Sequence, residues 1–170
     1  TISTVKARDV TKGVVDVSTA TDRALRWVLS SLHKKGYDEI EIQTDNPEHV
    51  KLIDELLKDL FLGFTVIHRT NNSCIIRSVT RELDEQFDTI LRRAFLVTLQ
   101  MAEELHTALQ KKDTAQLPSL LDFEKLNNQL TNFCQRILNK RGHPLPILTT
   151  FYYVITWNLE KIADNYKALC

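Results

Sequence analysis

The segment TFYYVITWNLEKIADNYKALC, residues 150–170, is rich in apolar and aromatic side chains, yet Glu160 and Asp164 stand one helical turn apart near its end. At about 100° per residue, Leu148, Phe151, Ile155, Leu159, Ile162, Tyr166 and Leu169 lie within about 60° of one line, the pattern of a helix packed along one face. Glu160, Asp164, Tyr153 and Trp157 fall on the far side. A plain solvated face would carry Lys, Glu and Gln. Two aromatics beside two acids predict that this face touches something, either another protein layer or a ligand.

The chain before this segment has the same texture back to about residue 81. Phe87, Ile90, Leu91, Ala94, Phe95, Thr98, Met101, Leu105 and Leu109 recur at three and four, predicting a long amphipathic helix. Pro118 interrupts, and SLLDFEKLNNQLTNFCQRILNKRG then makes a second helix ending at Gly142, with Leu120, Phe123, Leu130, Phe133 and Ile137 as its core stripe. The proline-bounded turn HPLP leads into the third, over 147–170. Residues 81–170 are therefore expected to form an up-down three-helix bundle.

The first 80 residues alternate element types. STATDRALRWVLSSLHKKG reads as a helix with a capping pair in Thr19 and Asp22 and a stop at Gly36. YDEIEIQT alternates as a strand. A second helix follows, with Asn46 as N-cap, Pro47 at its first position and Gly63 past its end. Two strands then meet across Asn71-Asn72, residues that tolerate the positive φ of a tight hairpin. Residues 2–10 read as an opening strand. The fold class is α+β: a small α/β domain over 1–80, then the helical bundle over 81–170.

Lys plus Arg equals Asp plus Glu, 22 each, so the chain lacks the basic excess of most DNA-binding domains, and direct nucleic-acid binding is not expected. Three cysteines without metal-ligand spacing fit a reducing, cytoplasmic setting. No apolar run approaches the ~18–20 residues of a membrane span, and no signal-peptide pattern opens the chain. Thr1 is expected to follow a removed or missing segment. His33, His49, His68, His106 and His143 show no spacing toward one another or toward a cysteine. No phosphate loop, nucleophile elbow or Ser, His and Asp arrangement appears, so no enzyme is expected. Cys134 reads as a small buried apolar residue, and Arg92 and Arg93 as part of a solvated face.

Carboxylates four apart repel by a few tenths of a kcal/mol in a helix, and a bound cation reverses that sign. Oxygen ligands suit Ca, Mg, Mn or Fe ions, and one helix cannot complete the shell. Glu124 and Asn128 repeat the spacing on the preceding helix, off its core stripe. LEKIADNYKAL is similar to the repeat signature of the PhoU phosphate-uptake regulator family, an acid followed four residues later by Asp within ERIADHAxxIA. LRRAFLVTLQMAEELHTAL resembles the first PhoU helix and FEKLNNQLTNFCQRILN the second, where Glu124, Asn128 and Arg136 match family positions. HKKGYDEIEI and LFLGFTVIHRTNNSCIIRSV resemble the segment that archaeal PhoU-like proteins place between an AbrB-type DNA-binding hairpin and the PhoU helices. No such hairpin is found at the N-terminus of these residues, a second repeat is expected either to be missing or to lie beyond this segment, and Asn128 replaces the commoner acid.

The resemblance implies a PhoU-type repeat whose acidic motifs, Glu124, Asn128, Glu160 and Asp164, bind an iron- or zinc-type metal cluster or another divalent cation on the bundle surface. It also implies a non-enzymatic regulator of phosphate uptake or transcription, of which this chain is the effector and oligomerisation part. The alternative is a metal-free interaction module that forms a homo-oligomer or takes a protein partner through the Tyr153 and Trp157 face.

Overall fold

A computed structural model describes residues 10–79, 86–112 and 117–169. The elements in chain order are β1 (Lys12–Asp16), α1 (Asp22–Lys35), β2 (Glu39–Gln43), α2 (Pro47–Asp59), β3 (Phe64–Arg69), β4 (Ser73–Ser78), α3 (Phe87–Lys111), α4 (Leu117–Arg141) and α5 (Leu148–Ala168). This is an α+β fold with a C-terminal helical bundle. The four strands form one sheet in the order β1-β2-β4-β3. β1 and β2 run parallel, with Val14 opposite Glu41, while β4 is antiparallel to both β2 and β3.

Local chemistry sets most boundaries. The Thr21 hydroxyl, not Thr19, caps α1 by accepting from the Ala24 N–H at 3.3 Å. Asn46 caps α2 through the Glu48 N–H at 3.0 Å, with Pro47 at the first helical position. Leu60 is the C-cap of α2, and Gly63, at φ 79°, belongs to the approach to β3. Residues 2–9 of the expected opening strand lie outside the described residues, as does the expected division near residue 80. The first described strand is Lys12–Asp16 instead. The β3–β4 turn is closed by Thr70, whose N–H donates to the Ser73 carbonyl at 2.8 Å and whose hydroxyl accepts from the Ser73 N–H at 3.0 Å. Among the described residues only Lys112 among non-glycines has positive φ, so Asn71 and Asn72 turn without it.

The sheet and the inner faces of α1 and α2 enclose Leu25, Leu29, Ile40, Ile42, Ile53, Leu56, Phe61 and Ile76. Each such side chain stabilises by roughly 1.5–3 kcal/mol. His33 is buried in the same layer, its ring stacked on Phe61 at 4.6 Å and edge-on to Phe64 at 5.1 Å.

α4 is the spine of the molecule. It packs on α3 and α5 along one side and on α1 and α2 along the other. Every residue from Leu130 to Leu138 is consequently buried, although the run includes Thr131, Asn132, Gln135 and Arg136. The bundle core combines Ile90, Leu91, Ala94 and Val97 of α3 with Leu130, Phe133, Cys134 and Ile137 of α4 and Leu159 of α5. Two expected stripes shift. On α3, Val97 is buried whereas Phe95 and Leu109 are exposed. On α5, the buried line is Thr156, Leu159 and Ala163, flanked by Tyr152, Ile155 and Tyr166, while Phe151, Ile162 and Leu169 are exposed. That line is rotated by about 75° from the expected face toward Glu160. Small residues at 156 and 163 seat the helix in the bundle, and Tyr152 is held by stacking on His143 at 4.8 Å.

Candidate functional site

One stripe of α4, spaced four, four, three and four, carries Glu124, Asn128, Asn132, Gln135 and Asn139. This side meets α5 at one end and the C-terminus of α1 at the other. Glu124 is only 5% exposed, not solvated as its position off the apolar stripe suggested. Its Oε1 accepts from Asn128 Nδ2 at 2.7 Å and from Lys167 of α5 at 3.1 Å. At the other end, Asn139 donates to the Lys34 carbonyl of α1 at 2.8 Å. Between them, Asn128 Oδ1, Asn132 Oδ1 and both polar atoms of Gln135 are buried without a hydrogen-bond partner.

The two acids of α5 have separate partners. Glu160 faces α1, with its Oε2 3.7 Å from Lys34 Nζ, within ion-pair reach but beyond a hydrogen bond, and that oxygen is otherwise unpartnered. Asp164 is held by Lys161 at 2.8 Å, three residues earlier on its own helix. Tyr153 is half-buried and Trp157 exposed, on the same flank of α5 as Glu160. Thus the structure joins Glu124 to Asn128, directs Glu160 toward α1, and leaves Asp164 in a local pair.

Next to this seam α1 is anchored onto α4. Arg136, 2% exposed, donates to the His33 carbonyl at 3.0 Å, the Tyr37 carbonyl at 2.6 Å and Asp38 Oδ1 at 2.7 Å, and its guanidinium lies 5.0 Å from the Phe64 ring centre. Lys140 also bonds Asp38 Oδ1. The cations sit where a helix C-terminus is negative. Burial would raise the Asp38 pKa, but the Lys140 hydrogen bond, the Thr11 N–H and the charges of Lys140 and Arg136 together hold it below the ordinary carboxylate value. Burial, then Arg136 and Lys34, push the His33 pKa well below 6.5, so its ring is neutral.

Sequence reasoning found Glu124 and Asn128 because i and i+4 are neighbours on a helix. It missed Lys167, Lys34 and the Arg136–Asp38 bond, which join residues 43 to 126 positions apart and leave no local pattern. The amide stripe was visible as periodic Asn and Gln, although such residues are ordinarily exposed.

Among the described residues no group of three or more His, Cys, Asp and Glu is placed to hold a metal ion. The donors on the seam are carboxylate and amide oxygens, and the orphaned Asn128 Oδ1 and Glu160 Oε2 suit a hard cation better than zinc. A cleft of about 420 Å³ lies at the carboxyl ends of β1 and β2, lined by residues that include Asp16, Glu41, Gln43, Asp45 and Asn72. Its acidic lining is unsuited to phosphate groups. No described helix is long and apolar enough to cross a membrane. Comparison with protein-family models, curated proteins and solved structures finds no match.

Proposed function

We propose that the chain is a non-enzymatic regulatory module of the PhoU type, acting in the cytoplasm. The α4–α5 carboxylate seam is its effector site, and the α/β layer is the part that responds. The observation carrying this reading is the pairing of Glu160 with Lys34. An acid of the bundle is neutralised by the last turn of α1, beside the Arg136 anchor. A hard cation taken up by Glu160, with Asp164 one turn on, would compete with the ammonium groups of Lys34 and Lys161, as one held by Glu124 and Asn128 would with Lys167. Releasing Lys34 loosens α1 on α4, so occupancy of the seam is transmitted to the sheet layer and to whatever phosphate-transport or transcription partner reads it.

Elemental analysis after chelator washing and reloading with manganese, iron or zinc tests this. Stoichiometric metal in the parent and none in a Glu160→Ala, Asp164→Ala double variant is the expected result. Absence of metal from both rejects the cation site.

The second reading is a metal-free interaction module, favoured by Trp157, exposed on α5 beside the half-buried Tyr153. It predicts a dimer that dissociates on Trp157→Ala and carries no metal.

A further inference from the structure

Along the side of α3 turned away from the bundle core, Arg92, Leu96, Leu99 and Glu103 follow one another at intervals of four, three and four. At about 100° per residue they lie within roughly 30° of one line. All four are exposed, Leu96 and Leu99 at 55% each, and Phe95, beside them, is 46% exposed. Neither Arg92 nor Glu103 has an ion-pair partner among the described residues. A helix therefore presents three large apolar side chains and two uncompensated charges to solvent on one face.

The spacing reads the same from either end, and the charges at its ends are opposite. An antiparallel pair of α3 helices, related by a twofold axis between Leu96 and Leu99, sets Leu96 against Leu99 of the second copy. It also sets Arg92 against Glu103 of the second copy, and every such contact occurs twice. A parallel pair would oppose Arg92 to Arg92 and Glu103 to Glu103. The face is thus self-complementary only in the antiparallel sense, the condition for a closed isologous dimer.

We propose that the outer face of α3 is a self-association surface, on which a second copy of this chain docks antiparallel through the Arg92, Leu96, Leu99 and Glu103 stripe. This deepens the interaction-module reading, rests on it, and replaces the Trp157 face as the contact between copies. Two helices meeting along one stripe bury less than the ~800 Å² per partner of a standard stable interface, so the association is weak and reversible.

Sedimentation equilibrium of the full chain, loaded up to roughly 300 μM, detects an association with Kd near ~100 μM. The parent is expected to dimerise reversibly. Arg92→Glu and Glu103→Arg, each creating two like-charge contacts, are expected to weaken the dimer by about tenfold or more. An equimolar mixture of these two variants restores both opposite-charge pairs and is expected to form a heterodimer near the parent affinity. All these positions are exposed, so folding is not at issue, and circular dichroism checks it. A parent that stays monomeric overturns the proposal together with self-association as such. A parental dimer that both charge variants leave intact but Trp157→Ala dissociates overturns the α3 pairing while leaving the interaction module standing.

Discussion

His33 is held neutral in an apolar cage, with neither ring nitrogen bonded. Because its pKa is lower folded than unfolded, the unfolded chain takes up a proton that the folded chain refuses. The stability of the fold is then full above the ordinary value of 6.5 and declines as pH falls below it. One such group contributes a slope of up to about 1.4 kcal/mol per pH unit. Urea denaturation of His33→Phe across pH 5–7.5 is expected to lack this component of the slope, whereas the parent has it. Gly36 is constrained twice. Its φ of 95° disfavours a side chain, and an added Cβ would come within 2.9 Å of the Lys140 Cβ. Gly36→Ala is therefore expected to cost at least about 1 kcal/mol by thermal unfolding, from the left-handed cap alone.

Helices and strands were legible where a cap, a proline or a period marked them, as at Asn46, Pro47 and the alternation of Glu39–Gln43. The faces of α3 and α5 were less so. A helical wheel assigns Phe151, Ile162 and Leu169 to the core because they are large and apolar, yet close packing on α4 is made by Thr156, Leu159 and Ala163. α4 was misread for the opposite reason. From Leu130 to Leu138 the helix is enclosed on two sides and has no solvated face, so Asn132 and Gln135 of its polar stripe are buried, and that stripe carries the candidate site. Both amide atoms of Gln135 are buried without partners, and an unmet buried amide costs about 1–3 kcal/mol. Gln135→Leu is expected to raise the denaturation midpoint, or at least leave it unchanged. A loss of more than about 1 kcal/mol would mean that these atoms are satisfied by bound water or a ligand.

Taken whole, the molecule is an α/β core and a bundle core, with α4 of the bundle packed against α1 and α2. Arg136 fastens one to the other, since its removal takes a hydrogen bond from Asp38, which keeps Lys140 and the Thr11 N–H, and from the His33 and Tyr37 carbonyls at the α1 terminus. Arg136→Ala is expected to cost about 1–3 kcal/mol and to uncouple the two cores. Each half holds one tryptophan, Trp27 in α1 and Trp157 in α5. Fluorescence of Trp157→Phe follows the sheet layer, and that of Trp27→Phe follows the bundle. The two urea transitions should coincide in the otherwise unaltered chain and separate once Arg136→Ala is added.

Cys134 sits in the buried Leu130–Leu138 run of α4, fully enclosed, with its thiol pushed up to about 12 by burial. Alkylating reagents need an exposed thiolate, so this sulfur reacts only during moments when the spine parts from its neighbours. Its labelling rate in native buffer is a built-in clock of those openings. A ligand or second copy that tightens the molecule slows that clock without touching the cysteine.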